Sequence, residues 1–171
     1  LQTRMGGVLG YTDVNPTGCI NRGDVIYYRY KGKYTAGNGE IGGVVGYMDV
    51  PTVENLTNDA KVQSTGSSPN CCTGGIIGLV GDTTVAFEDC KVGGSNIVGS
   101  SSGSWVHNGN GGSGLFCSDK TANEFDFTGC VIKTGTKCQG MVVDADNLEK
   151  AVVGRRLPTG YTNLPTFVDS F

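Results

Sequence analysis

Four short segments of this chain carry the same signature, glycines framing a pair of apolar residues, and their recurrence limits the fold more than any other feature. They read Gly6-Gly7-Val8-Leu9-Gly10, Gly42-Gly43-Val44-Val45-Gly46, Gly74-Gly75-Ile76-Ile77-Gly78 and Ser113-Gly114-Leu115-Phe116-Cys117. Their starts lie 36, 32 and 39 residues apart, an imperfect period of the kind found in solenoids whose loops vary in length. A second signature trails each first one, beginning Gly18-Cys19, Asn55-Leu56, Asp89-Cys90 and Gly129-Cys130. Cysteine and leucine at one register position mark a small apolar slot, so Cys19, Leu56, Cys90 and Cys130 are expected to face inward.

The apolar pairs read as short strand cores, with glycine permitting tight corners and close backbone approach. One repeat cannot close a core alone. Stacking equivalent strands at about 4.8 Å per rung buries a continuous apolar column and satisfies the backbone ladder. Asp24, Lys61 and Lys91 alternate outward. Helical periodicity is absent until the end of the chain. The expected fold is all-β, a parallel, β-helix-like β-solenoid of about four irregular repeats over residues 1–143. A C-terminal cap and irregular tail follow over residues 144–171. Asp146-Asn147-Leu148-Glu149 is a capping-box pattern that predicts a short helix to about Val153, with Leu148, Val152 and Val153 over the last rung.

The pattern of two glycines, two apolar residues and a glycine, followed by a cysteine and an N-x-G-x-V stretch, resembles the Glug motif of large bacterial surface proteins. Gly6 to Val25 and Gly42 to Val62 match best. The later copies depart from it, with Leu79 in place of tyrosine and Cys117 in place of the third glycine. The resemblance spans residues 4–142 loosely. It implies a β-solenoid, a cell-surface or secreted setting and a scaffolding role with no catalytic residues.

Composition narrows the alternatives. Glycine supplies 29 of 171 residues, well above the usual share of roughly 7%. The formal charge is −3, and no Lys/Arg run offers a phosphate-binding stripe, so nucleic acid is not an expected partner. No apolar run approaches the roughly 20 residues that span a bilayer. The start lacks an initiator Met and a signal-like stretch, as in a mature product or an excised segment. Seven cysteines without metal-like spacing point to an oxidising, extracellular or cell-surface location with disulfides, and the odd count leaves at least one thiol over. Cys117, Cys130 and Cys138 sit where a cross-link would tie down the solenoid end. Asn55-Leu56-Thr57 is the one valid glycosylation sequon.

Candidate chemistry is sparse. His107 is the single histidine, in a polar glycine-rich insertion that also holds Trp105, and nothing fixes a nucleophile or carboxylate beside it. No catalytic residue, metal site or cofactor is expected. Asp13, Asp49, Asp82 and Asp119 follow the first signature and read as turn residues, with a calcium-lined edge as the other reading. Tyr28, Tyr30 and Tyr34 share a face if their strand is unbroken. That row, with Trp105, serves either as contacts for a protein or glycan at the cell surface or as ordinary residues of a long edge hairpin. The C-terminal end carries a cap; the N-terminal rung has none, so its edge is expected to be covered by upstream sequence or by another subunit. A structural or adhesive surface module is the leading expectation. The alternatives are a filament subunit joined head to tail, with a homo-oligomer neighbour, and a carbohydrate-active enzyme on a β-helix.

Overall fold

The computed structural model of the chain describes residues 2–28, 38–65, 71–81, 85–94, 97–98, 112–121 and 123–171. The first coil supplies β1 (Gln2–Gly6), β2 (Leu9–Thr12), β3 (Ile20–Asn21) and β4 (Val25–Tyr28). The second supplies β5 (Asn38–Gly42), β6 (Val45–Met48), β7 (Thr52–Glu54), β8 (Thr57–Asp59) and β9 (Val62–Thr65). The third repeats the set with β10 (Cys71–Gly74), β11 (Ile77–Val80), β12 (Val85–Glu88), β13 (Lys91–Gly93) and β14 (Ile97–Val98). The fourth has β15 (Gly112–Gly114), β16 (Cys117–Asp119), β17 (Glu124–Asp126), β18 (Val131–Lys133), β19 (Lys137–Cys138) and β20 (Met141–Val142). Helix α1 (Leu148–Val152) then leads into β21 (Val153–Gly154), β22 (Gly160–Tyr161) and β23 (Thr166–Val168).

Equivalent strands of successive coils pair in parallel, so the fold is the expected all-β solenoid of about four turns. Five sheets run along it. In the order a coil visits them they are β1-β5-β10-β15, β2-β6-β11-β16-β21, β7-β12-β17-β22, β3-β8-β13-β18-β23 and β4-β9-β14-β19-β20. Among the described residues only β20 is antiparallel, folding back on β19.

Two apolar columns fill the interior. The larger includes the file Val44, Ile76, Phe116 and Val152, bonded rung to rung through backbone N–H···O contacts of 2.9–3.0 Å. Phe87, Phe116 and Phe127 meet inside it at centroid distances of 4.9–5.6 Å, the spacing aromatic pairs prefer. The smaller column lies between the first and fifth sheets, where Ile41 packs with Val25 and Val62. The signature glycines make this layering fit. At Gly6, Gly42, Gly74 and Gly114 an added Cβ would overlap the carbonyl oxygen three residues on, so the corner between the first and second sheets admits no side chain. A Cβ on Gly46 or Gly78 would press into the backbone of the first sheet, which lies directly against the second.

Register corrects the fourth signature by one residue. Gly74 pairs with Gly114 and Ile77 with Cys117, so Gly114 takes the first-glycine position, Cys117 the second apolar position and Ser118 the third-glycine position. Ser118 fits there because its hydroxyl donates to the carbonyls of Gly112 (2.9 Å) and Thr73 (3.2 Å) in the adjacent first sheet. A fifth signature follows at Ala151-Val152-Val153-Gly154, with Val153 paired to Cys117.

The second signature has an equally specific cause. Gly18, Asn55, Asp89 and Gly129 all have positive φ, at 77°, 50°, 53° and 69°. Each turns the chain so that the next residue enters the core, and glycine, asparagine and aspartate are the types that tolerate that region. The next residues, Cys19, Leu56, Cys90 and Cys130, form one file, continued by Pro165 through the 3.1 Å bond from Thr166 N to Cys130 O.

Two expectations about the C-terminal region change. Helix α1 opens at Leu148 with Asn147 as its N-cap residue, and no side chain caps it. Asp144 draws the preceding turn instead: its Oδ1 accepts from Asp146 N (3.0 Å) and Asn147 N (3.3 Å), while Asn147 Oδ1 accepts from Asp144 N (3.0 Å). The segment beyond the helix is not a free tail. Its strands β21, β22 and β23 extend the second, third and fourth sheets as a partial fifth coil.

Candidate functional site: the uncovered first coil

The two ends of the solenoid differ. At the C-terminal end, α1 stands where a fifth strand of the first sheet would lie and β20 closes the fifth sheet, so two of the five ladders stop. At the other end, β1, β2, β3 and β4 each have a neighbour on one side only among the described residues. Val8 is 45% exposed, whereas its equivalents Val44 and Ile76 are 0% exposed. Tyr11, Val14, Ile20, Ile26 and Tyr28 are also exposed in this coil. Fully burying an aliphatic side chain of this size contributes about 1.5–3 kcal/mol, so this face has unused apolar area to offer an occupant.

Charge and aromatic groups sit beside that face. Arg4 Nε donates to Glu40 Oε2 at 2.9 Å, and Glu40 is buried. The Arg4 guanidinium lies 4.9 Å from the Tyr11 ring and 4.2 Å from the Tyr47 ring. The two tyrosines stack, centroids 5.8 Å apart and planes at 15°. Burial, then the Asp49 carboxylate, holds the Tyr47 hydroxyl above its usual range. In the fourth sheet Asn21 Nδ2 donates to Asn58 Oδ1 at 2.8 Å.

The fold does not gather the other predicted contacts with these. Tyr28 is 72% exposed at the end of β4. Tyr30, Tyr34, Trp105, His107 and Asp82 lie outside the described residues. Asn55 is exposed at its left-handed corner, while the sequon's Thr57 is buried in β8. Asp13 and Asp49 are exposed, and Asp119 is buried as a turn residue, accepting from Thr121 N (3.3 Å), Asn123 N (3.0 Å) and Asn123 Nδ2 (3.0 Å). Desolvation raises the Asp119 carboxyl despite those bonds. Among the described residues no group of three or more His, Cys, Asp or Glu is placed to hold a metal ion. No helix there is long and apolar enough to cross a membrane.

The cysteines correct the disulfide expectation: all seven are free thiols, and six are buried. Cys71 and Cys72 are successive residues of one strand, whose side chains leave on opposite faces and cannot bridge without distortion. Cys90 and Cys130 use their thiols as donors to the coil before, to Val53 O (3.5 Å) and Phe87 O (3.3 Å). Burial pushes Cys72 and Cys138 up to about 12, with Arg155 offsetting part of the effect at Cys72. Burial also raises Cys117, and the Cys90 thiol, followed by burial, raises Cys130. These groups stay protonated at neutral pH and serve as core.

A surface cavity of about 350 Å³ lies between the fourth and fifth coils, lined by residues that include Phe127, Thr128, Cys130, Asn163 and Leu164. The Asp126 carboxylate beside it is held below its usual range, first by Asn163 Nδ2 at 2.9 Å and also by Thr128. Comparison of the chain with protein-family models, with curated proteins and with solved structures finds no match.

Proposed function

We propose that this chain is a structural or adhesive β-solenoid module of an extracellular or cell-surface protein, acting without catalysis, as its resemblance to Glug repeats implies. The observation that carries the reading is the use made of the chemistry-bearing side chains. Six cysteines, Asn58 and Asp119 are spent on core files, ladders and turns, while among the described residues most of the exposed large apolar and aromatic groups lie on the first coil. Such a scaffold leaves its outer faces for a protein or glycan partner. The module reading is favoured over a head-to-tail filament because α1 and β20 occupy the ends of two ladders, and the segment suited to donate a strand already pairs within its own chain.

The test is a glycan array and a panel of extracellular-matrix proteins probed with the full chain, alongside release of reducing ends from any glycan retained. Binding without turnover supports the reading. Sustained turnover that His107→Ala abolishes overturns it.

A further inference from the structure

The buried asparagines of the fourth sheet have a direction. Asn21 and Asn58 are in register. Asn21 Nδ2 donates to Gly23 O and to Asn58 Oδ1, both at 2.8 Å, and Asn58 Nδ2 donates to Ala60 O at 3.0 Å. The amide of one coil thus bonds the side-chain oxygen of the next coil toward the C terminus. The oxygen of Asn21 accepts the Gly23 N–H at 3.2 Å, and a carbonyl oxygen has two lone pairs. By register, the position from which Asn21 reaches Asn58 has its counterpart on the uncovered side of Asn21. Beyond Asn58 the register holds Val92, Ile132 and Phe167, so the ladder belongs to the N-terminal end alone.

That polarity separates the occupants the first coil could accept. A second copy stacked by its C-terminal end brings Phe167 over Asn21, which donates nothing, and meets α1 and β20 where two ladders would continue. A second copy meeting it first coil to first coil sets two acceptor oxygens against each other. A coil of the same signature, stacked parallel, places an asparagine amide on Asn21 Oδ1, a ring over Tyr11 as Tyr11 lies over Tyr47, and apolar side chains over Val8.

We infer that the first coil is covered by a further coil bearing the glycine–apolar and N-x-G signatures, stacked parallel on β1–β4, its asparagine donating to Asn21 Oδ1. The inference concerns how coils stack and does not depend on what the outer faces bind.

Residues 2–37 span one period, from Gln2 to the residue before the register of Asn38. Three chains test the inference: the chain as it is, the chain with residues 2–37 duplicated ahead of Gln2, and the extended chain with Asn21→Ala in the added copy alone. Light scattering over a concentration series gives mass, and amide exchange gives protection strand by strand. All three are expected to be monomers. The added coil slows exchange in β1, β3 and β4 by about tenfold or more, and Asn21→Ala in the copy reverses most of the gain at β3 while β1 keeps its own. Unchanged exchange in β1–β4 after extension overturns the inference. So does self-association of the unextended chain with β1–β4 protected, which makes a second copy the occupant. Protection at β3 that ignores Asn21→Ala overturns the asparagine register.

Discussion

Asn21 Nδ2 lies 2.8 Å from Asn58 Oδ1 across the first two coils, and both side chains are buried. Asn58 serves two partners, accepting from Asn21 and donating to Ala60 O. Replacing it with alanine leaves one N–H of the Asn21 amide and the Ala60 carbonyl without these partners, and each buried unsatisfied group costs about 1–3 kcal/mol. Asn58→Ala is therefore expected to destabilise the chain by roughly 2–4 kcal/mol, and Asn21→Ala by less, because Asn21 closes the ladder at the open end. Urea midpoints of the two variants check this. Equal losses would remove the polarity assigned to the ladder.

The file Cys19, Leu56, Cys90, Cys130 and Pro165 makes graded predictions. Leu56 is fully buried, and Leu56→Ala is expected to cost about 2–5 kcal/mol. Leu56→Asp places an unpaired charge in the same column and prevents folding. Cys19, only partly buried at the open coil, tolerates alanine with a loss of about 1 kcal/mol or less. Thermal melts rank the three, and a folded Leu56→Asp chain with an unchanged melting temperature refutes the register.

The thiols report burial directly. In the native chain a water-soluble disulfide reagent is expected to titrate Cys19 rapidly and the six buried cysteines only on unfolding. Stability has a matching pH dependence. Cys72 and Cys138 are raised from 9.0 to about 12, so over that interval the folded chain keeps protons that the unfolded chain releases. Unfolding then becomes easier as pH rises, and the loss grows from about pH 9 toward 12. Replacing both residues with alanine lowers stability at pH 7 but flattens its decline above pH 9. An unflattened profile, measured by denaturant titration at each pH, contradicts the burial of these thiols.

The left-handed corners separate geometry from modification at Asn55. If the position is kept for its φ of 50°, Asn55→Gly is neutral or slightly stabilising, whereas Asn55→Ala costs about 1–2 kcal/mol. Both variants remove the sequon, so any difference between them in melting temperature belongs to the backbone. Identical behaviour would count against the corner.

Much of the coil register is legible in the sequence because each part has a strong local cause. The corner glycines admit no Cβ, and the Gly/Asn/Asp residues at positive φ fix which neighbour turns inward. What was missed depended on pairing partners far along the chain. The fourth signature reads naturally from Ser113, and only the pairing of Gly74 with Gly114 moves it by one residue. Val152-Val153-Gly154 repeats Val44-Val45-Gly46, yet a capping-box reading hid it, since Ala151 replaces the glycine and a helix replaces the strand before it. The number of cysteines suggested disulfides, whereas all seven stay as thiols, and Cys90 and Cys130 fill the small apolar slot that the register had marked. The asparagine ladder has a visible signal in Asn21-Arg22-Gly23 and Asn58-Asp59-Ala60, but its inward aim follows from the sheet it occupies.

The partial fifth coil predicts the behaviour of a truncation. Residues 157–171 carry β22 and β23, with Tyr161, Leu164 and Phe167 packed against the main column and Tyr161 Oη donating to Glu149 O at 2.8 Å. Their backbone completes the edges below them: Thr162 N donates to Phe125 O (2.9 Å), Thr166 N to Cys130 O (3.1 Å), and Phe127 N donates to Asn163 O (3.1 Å). Deleting residues 157–171 uncovers the strands that carry Phe125 and Ile132, both otherwise fully buried. Three partly buried side chains at about 1.5–3 kcal/mol for full burial put the loss at roughly 3–6 kcal/mol. The bared edges of β17 and β18 are then open to pairing with other chains. The truncated chain is expected to melt lower and to gain mass with concentration in light scattering, whereas the full chain does not associate through this end. A truncated chain that stays monomeric with an unchanged denaturation midpoint would show that the fourth coil closes the solenoid by itself.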